Sequence, residues 1–131
     1  MSIQSFRDLD AWKMSMDLTE SVYRITRLLP ADERFVLGAQ MRRASIGVPS
    51  NVSEGHQHGT RAYRRYVVIA LGCLAECETQ LELARRLQLA PASDIVAVLE
   101  QAKPLRRVLL GLRRSLRKRL ATTNKEQALD D

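Results

Sequence analysis

The sequence contains little that would build a β-sheet, a membrane span or a disulfide framework. Only four prolines and six glycines interrupt its 131 residues. No segment alternates apolar and polar residues with the period of two that indicates a half-buried strand. No uninterrupted apolar stretch approaches the roughly 20 residues of a membrane-spanning helix. These absences argue against a β-rich or membrane-spanning chain and predict an all-α protein.

The chain also lacks the marks of a secreted protein. Its first residues, MSIQSFRDLD, have no basic region followed by an apolar block, which a secretory signal requires. The two cysteines, Cys73 and Cys77, lie four residues apart in a helical pattern and therefore on one helix face. We expect a cytoplasmic protein in which both thiols are reduced and buried as small core residues.

Apolar residues recur at helical spacing in four segments. Pro30 ends the first segment, and Pro91 with Ser93 starts the last. Pro49 falls inside the second segment, whose apolar stripe resumes at Val52, so that helix should continue with a kink. The predicted helices are Asp8–Leu29, a second from Ala31–Glu33 to the turn between Gly55 and Gly59, Thr60–Leu89, and a fourth beginning at Pro91–Ser93.

A chain of this length forms one domain, and four long helices with short connections favour an antiparallel, up-down four-helix bundle. We predict that the bundle occupies residues 1–120. Periodicity is lost in ATTNKEQALDD, so we predict a flexible C-terminal tail over residues 121–131. The first helix has two apolar stripes, one for the bundle core and one that another subunit could cover. Gly72 should permit the close approach of a neighbouring helix.

Four stretches resemble a known family. They are FRDLDAW, LLPADER, QMRRASIGVPSNVSEG and YVVIALGCLAECETQLELARRL. Over roughly residues 6–113 the chain is similar to the four-helix-bundle proteins encoded in intervening sequences of bacterial 23S ribosomal RNA genes. The accessory protein of diversity-generating retroelements is a related protein.

This resemblance implies a bundle with a kinked second helix and a ring-shaped homo-oligomer, with five subunits as the favoured number. Most members have no known activity. The retroelement relatives imply binding to RNA or DNA and to a reverse transcriptase, the latter if this chain is associated with a retroelement.

Polar residues follow one strip of the second helix, beside its apolar stripe. Residues this close to a core must be hydrogen-bonded. We predict a structural polar network in which Arg43 pairs with Glu54 or Glu76. The amides would bond to each other or to the backbone freed by Pro49. The predicted network is Gln40, Arg43, Asn51, Glu54 and Glu76.

Two catalytic or metal-binding interpretations of this region are less favoured. Glu54 and Glu76 could act as an acid–base pair, but no serine has a His–Asp arrangement and GHQHG lacks the lysine of a phosphate loop. His56 and His58 could chelate a metal from a loop, yet a structural zinc site needs four ligands in recognisable pairs. We expect exposed turn histidines, no catalytic residue, no metal and no cofactor.

Basic residues suggest a partner. The net charge is +6, and residues 103–120 contain eight basic residues and no acid. Solvated faces normally mix both signs, and a helix N-terminus with arginines favours anions. The predicted nucleic-acid-binding residues are Arg61, Arg64 and Arg65 on the third helix and Lys103, Arg106, Arg107, Arg113, Arg114, Arg117 and Lys118 on the fourth.

The sequence therefore favours a non-enzymatic, basic, oligomeric protein that binds RNA or DNA through charge and shape, because it has no sequence-reading motif. The alternative is a protein–protein adaptor or scaffold ring whose partner has an acidic surface. A third hypothesis is a small hydrolase that uses Glu54, or a metal at His56 and His58.

Overall fold

Four long helices account for nearly the whole computed structural model, which describes residues 2–130 and is 87% helical. We name them α1 (Asp10–Leu28), α2 (Leu37–His56), α3 (Thr60–Arg86) and α4 (Ala92–Asp130). Each helix packs against the next, and α4 also packs against α1, which closes a bundle. No strand occurs within residues 2–130. The predicted all-α bundle is confirmed.

The helices begin and end close to their predicted limits. A short 3₁₀ turn, Phe6–Asp8, precedes α1 and is closed by a capping box in which Ser5 and Asp8 exchange hydrogen bonds. Helix α3 ends three residues before Leu89 because Gln88 adopts a left-handed conformation, with φ of 55°. No helix in the described part of the chain is long and apolar enough to cross a membrane.

The start of the second helix differs from the prediction. A single helical turn, Ala31–Arg34, is separated from α2 by Phe35 and Val36, which are 78% and 60% exposed. Val36 has φ and ψ of −108° and −86°, which breaks the helix. Both residues are apolar, so the sequence pattern gave no sign of the break.

The predicted kink of the second helix is confirmed, since α2 is bent by 38° and contains Pro49. Proline has no N–H, so the carbonyl of Ser45, four residues earlier, lacks its helical donor. The Thr19 hydroxyl on α1 lies 3.0 Å from that carbonyl and 2.9 Å from the Ser15 carbonyl of its own helix, and it shares its one hydrogen between them. The freed backbone group was predicted to bond to an amide of α2; its partner is a neighbouring helix instead.

The core combines one face of every helix. Burial of each of these apolar side chains contributes about 1.5–3 kcal/mol relative to exposure. The largest fully buried side chains are Leu18, Val22, Met41, Val48, Val52, Val67, Leu74, Leu81, Ile95, Leu105, Leu109 and Leu116. On the second stripe of α1, Leu9 and Trp12 pack against the core, whereas Met16 is 38% exposed.

Close helix approach occurs between α2 and α3, and at glycines other than the predicted one. A Cβ added to Gly47 would lie 2.7 Å from Cys73 Sγ, and one added to Gly55 would lie 2.7 Å from Tyr66 Cβ. Gly72 is exposed and has no neighbour within 4 Å of its Cβ position. The expectation that Gly72 brings a helix close is therefore wrong within this chain.

The last helix continues without a break through the segment that was predicted to be a tail. Residues 121–130 are helical and each is exposed. The boundary at residue 120 and the flexibility of this segment remain predictions.

Candidate nucleic-acid interface

The predicted basic residues of α4 lie beside a buried leucine seam. Leu105, Leu109 and Leu116 are buried, because a helix places residues three and four apart on the same face. The basic residues between them are half-buried or exposed, and Arg107, Arg114, Arg117 and Lys118 are among the exposed ones. The sequence therefore directs apolar groups inward and cations outward along one helix.

Two of the ten predicted cations have an acidic partner in the same chain. Lys103 Nζ lies 2.8 Å from Glu100 Oε1, and Arg106 forms an ion pair with Glu78 of α3. Within residues 2–130 the other eight make no ion pair. Solvent or a ligand can therefore neutralise the charge of these eight side chains. They are Arg61, Arg64, Arg65, Arg107, Arg113, Arg114, Arg117 and Lys118.

A groove joins the start of α3 to the second half of α4. Its volume is about 710 Å³, within the roughly 300–1,000 Å³ typical of ligand pockets. Three of its residues are cationic and four carry hydroxyl groups. The lining residues are Thr60 of α3 and Gly111, Arg114, Ser115, Lys118, Arg119, Thr122 and Thr123 of α4.

The start of α3, where Thr60 lines this groove, has no side-chain cap. Gly59 is the N-cap residue, no side chain accepts from the first turn, and that turn contains no acid. The first N–H of the helix with an acceptor is that of Tyr63, which donates to the Gly59 carbonyl at 2.9 Å. The first turn of a helix attracts anions through such free N–H groups and the helix dipole.

Arg61, Arg64 and Arg65 lie in the first two turns of α3, around a second depression that also contains Ala62 and Val68. The structure therefore places these arginines next to Thr60 but not inside the α3–α4 groove.

Aromatic side chains surround the turn between α2 and α3. His58 stacks on Tyr66, with ring centroids 5.7 Å apart, and His56 packs edge-on against Tyr63 at 5.6 Å. The Tyr63 ring belongs to the core, but its hydroxyl is buried with no hydrogen-bond partner in the described chain. Burial raises the pKa of Tyr63, and the nearby Arg119 guanidinium offsets part of that increase.

The predicted polar network is only partly formed. Asn51 Nδ2 donates to the Gly47 carbonyl at 2.7 Å, and Glu54 accepts from the Tyr66 hydroxyl at 3.3 Å. Arg43 pairs with neither predicted acid among residues 2–130. Glu54 lies eleven residues further along the same helix, about 16 Å away at 1.5 Å per residue, which is too far for an ion pair.

Arg43 and Glu76 are both exposed and line one cleft between α2 and α3, together with Gln40 and Gln80. Exposed charges gain little from direct pairing, which accounts for their separation. Asn51 bonds to Gly47, which lines the same cleft, whereas Glu54 lies near the end of α2. The five network residues therefore do not form one buried cluster.

The fold provides no ligand cluster for the metal interpretation in the described part of the chain. Among residues 2–130, no group of three or more His, Cys, Asp and Glu side chains lies close enough together to hold a metal ion. Burial raises the pKa of Cys77 to about 12, so this thiol stays protonated. The pKa of Cys73 is also raised, by burial and by the neighbouring Glu76 carboxylate.

Several groove residues were not predicted from the sequence. These residues lie beside the predicted basic residues, on the flank of α4 that packs against α3, and were therefore not included. They are Ser115, Arg119, Thr122 and Thr123. The helical spacing of Ser115, Arg119 and Thr122 would have shown a shared face. Their meeting with Thr60 requires the register between α3 and α4, which no local pattern contains.

Comparison with known proteins identifies the family. A crystal structure of a protein with unknown function from the S23 ribosomal protein family of Bacteroides thetaiotaomicron matches with a TM-score of 0.73. It is 18% identical, and the match covers 79% of this chain and 97% of that one, so the likeness shows a shared fold. No curated protein matches the chain. The model of the 23S rRNA-intervening sequence protein family matches residues 7–111, and the chain belongs to that family.

Proposed function

We propose that this protein is a non-enzymatic nucleic-acid-binding protein that assembles into a homo-oligomeric ring. The observation that carries the first part is the set of eight predicted cations without an acidic partner in residues 2–130. Lysine and arginine side chains left free in this way bind phosphates and release the counterions of the polynucleotide. Neither direct base readout nor catalysis is needed for such binding.

The ring is proposed from the family resemblance and from exposed apolar side chains on α3. Val68 and Ile69 are 41% and 43% exposed, and Ile46 of α2 is 42% exposed. Apolar residues that a single chain leaves uncovered are common at subunit contacts. Sedimentation should give about five times the mass of one chain, and a monomer at micromolar concentration would overturn this part.

A fluorescence anisotropy titration against single-stranded RNA and DNA tests the binding function. We expect binding at low salt, with log K falling by about 0.7 per phosphate contact for each unit of log[salt]. The variant Arg113→Gln/Arg117→Gln should weaken binding and lower that slope by about 1.4. The control Arg85→Gln removes a cation already paired with Glu82 at 2.6 Å and should change the affinity less than twofold.

Failure of the protein to bind either nucleic acid at low salt would reject this function. Binding that ignores salt would also reject it. After either result, the adaptor function, in which the cations bind an acidic protein surface, becomes the better proposal. The reverse transcriptase implied by the retroelement relatives is one such partner, and a location of the gene beside a reverse transcriptase gene would favour it.

A further inference from the structure

The groove between α3 and α4 differs from the rest of the basic surface because it offers an anion two kinds of donor. Arg114, Lys118 and Arg119 provide positive charge from one side. The uncapped first turn of α3, next to Thr60, provides backbone N–H groups from the other. A phosphate oxygen accepts from both kinds of donor, whereas a solvated cationic face provides only the first.

The start of α3 is open to a ligand. A Cβ added to Gly59 would have no atom within 4 Å, so the N-cap position faces free space. No acidic residue lines the groove. Nothing in the described chain therefore occupies the place where an anion would approach the first N–H groups.

A buried hydroxyl with no partner in the described chain lies close to this part of the groove. Tyr63 is 8% exposed, and its hydroxyl has no hydrogen-bond partner in the described residues. It follows Thr60 by three residues, which places both on one face of α3, and it lies near the groove residue Arg119. A buried hydroxyl without an acceptor is destabilising, but Tyr63 does not line the groove, so its hydroxyl lies behind the surface that Thr60 and Arg119 present to a ligand.

We propose that this groove is the phosphate-binding centre of the protein and anchors the backbone of a single polynucleotide strand at the N-terminus of α3. The proposal rests on the proposed function for the identity of the ligand. It adds a defined site, in which N–H groups bind the phosphate together with Arg114, Lys118 and Arg119. It also allows binding in the groove to be distinguished from binding through the overall positive charge of the protein.

The decisive variant is Gly59→Asp. Gly59 has φ and ψ of −68° and 168°, an extended conformation that an aspartate N-cap adopts, so the new carboxylate would accept from the first turn and fill the phosphate position. We expect the melting temperature to rise by about 2–4 °C. Affinity for a 12-nucleotide single strand should nevertheless fall at least tenfold.

The matched control is Ser93→Asp. Ser93 is exposed in the first turn of α4, 21 residues before Arg114 and about 30 Å along the helix from it. It changes the net charge equally and also favours a helix N-terminus. Its affinity should fall less than twofold.

A second variant tests the cations. In Arg114→Gln/Lys118→Gln/Arg119→Gln, the salt slope should fall by about two. Isothermal titration with inorganic pyrophosphate gives a second readout, and its binding should be lost in this variant and in Gly59→Asp.

Equal losses of affinity in Gly59→Asp and Ser93→Asp would overturn the groove proposal while leaving nucleic-acid binding intact. If the unmodified protein binds pyrophosphate in a Gly59-sensitive way but binds no nucleic acid, the groove is supported as a phosphate site and the proposed function fails. Binding of the strand without any effect of the triple substitution would also overturn the groove.

Discussion

Helix α3 packs against its two neighbours in different ways. Toward α2 the contact is close, because Gly47 and Gly55 leave room for Cys73 and Tyr66, and it contains no ion pair among residues 2–130. Toward α4 the contact is bordered by charges, with the Arg106–Glu78 ion pair on one part and the basic groove on another. The α2 contact therefore positions α3, whereas the α4 contact leaves charged groups exposed along its border.

The strongest effect that we predict concerns the two thiols of α3. Cys77 is fully buried and burial raises its pKa to about 12, whereas Cys73 is half-buried beside Gly47. Because the thiolate is the reacting form, a disulfide reagent at pH 8 should modify Cys77 at least 10³-fold more slowly than in the unfolded chain. The variant Cys73→Ser isolates Cys77. Equal labelling rates for the two native thiols would show that the α3 core is open.

The next largest effect is a loss of stability in Gly55→Ala, because the added methyl group prevents the close approach of α2 and α3. Its new methyl group would lie 2.7 Å from Tyr66 Cβ and 3.1 Å from Tyr63 Cδ1. We expect the free energy of unfolding to fall by about 1–3 kcal/mol, measured by urea denaturation. The control Gly72→Ala has open space and should raise stability by up to about 1 kcal/mol. A loss in Gly72→Ala would indicate that another subunit covers this residue.

A smaller effect is expected at the ion pair between α3 and α4. Glu78→Gln removes the partner of Arg106, and both side chains are partly exposed. Stability should fall by about 0.5–1 kcal/mol, while nucleic-acid binding should strengthen slightly because Arg106 is released. The exposed ion pair between Arg85 and Glu82 is the control, and Glu82→Gln should lower the free energy of unfolding by less than about 0.5 kcal/mol. If Glu78→Gln bound nucleic acid more weakly than the native protein, the premise that cations without an acidic partner bind phosphate better than paired ones would be wrong.

The smallest effect is expected for Tyr63→Phe. The lost hydroxyl has no partner, so stability near pH 7 should stay within about 1 kcal/mol of the native value or rise. Burial raises the pKa of the folded phenol above 10.0; the unfolded chain therefore releases the proton first, and stability decreases as the pH rises beyond 10. Tyr63→Phe should flatten that decrease in alkaline denaturation curves. An unchanged alkaline slope would show that the hydroxyl is not buried in solution.

Local patterns predicted most of the fold but little of the site. Proline affects the backbone of the helical turn in which it lies, so its position is a local signal. Pro30 marked the end of α1, Pro91 marked the start of α4, and Pro49 marked the bend of α2. The break at Phe35 and Val36 was missed because apolar residues continue a helical stripe whatever their backbone conformation. Of the two acids predicted to pair with Arg43, Glu54 is eleven residues away on the same helix, and it was included because angular position alone ignores distance along the axis.

The cross-helix features could not be predicted for a common reason. The Arg106–Glu78 pair and the meeting of Thr60 with Arg119 both depend on how far α4 is displaced along α3. That displacement is set by packing over many residues and has no local signature. Charge composition pointed to α4, which also lines the groove, whereas the flank of α4 that lines it followed only from the assembled bundle.

The bond from the Thr19 hydroxyl to the Ser45 carbonyl has a mechanical consequence. The bend at Pro49 is fastened to α1, so straightening α2 would break a contact between helices as well as change one helix. We expect α1 and α2 to move as one rigid arm in any opening of the bundle. Strain applied to that arm would reach the start of α3 through the short turn that follows His56.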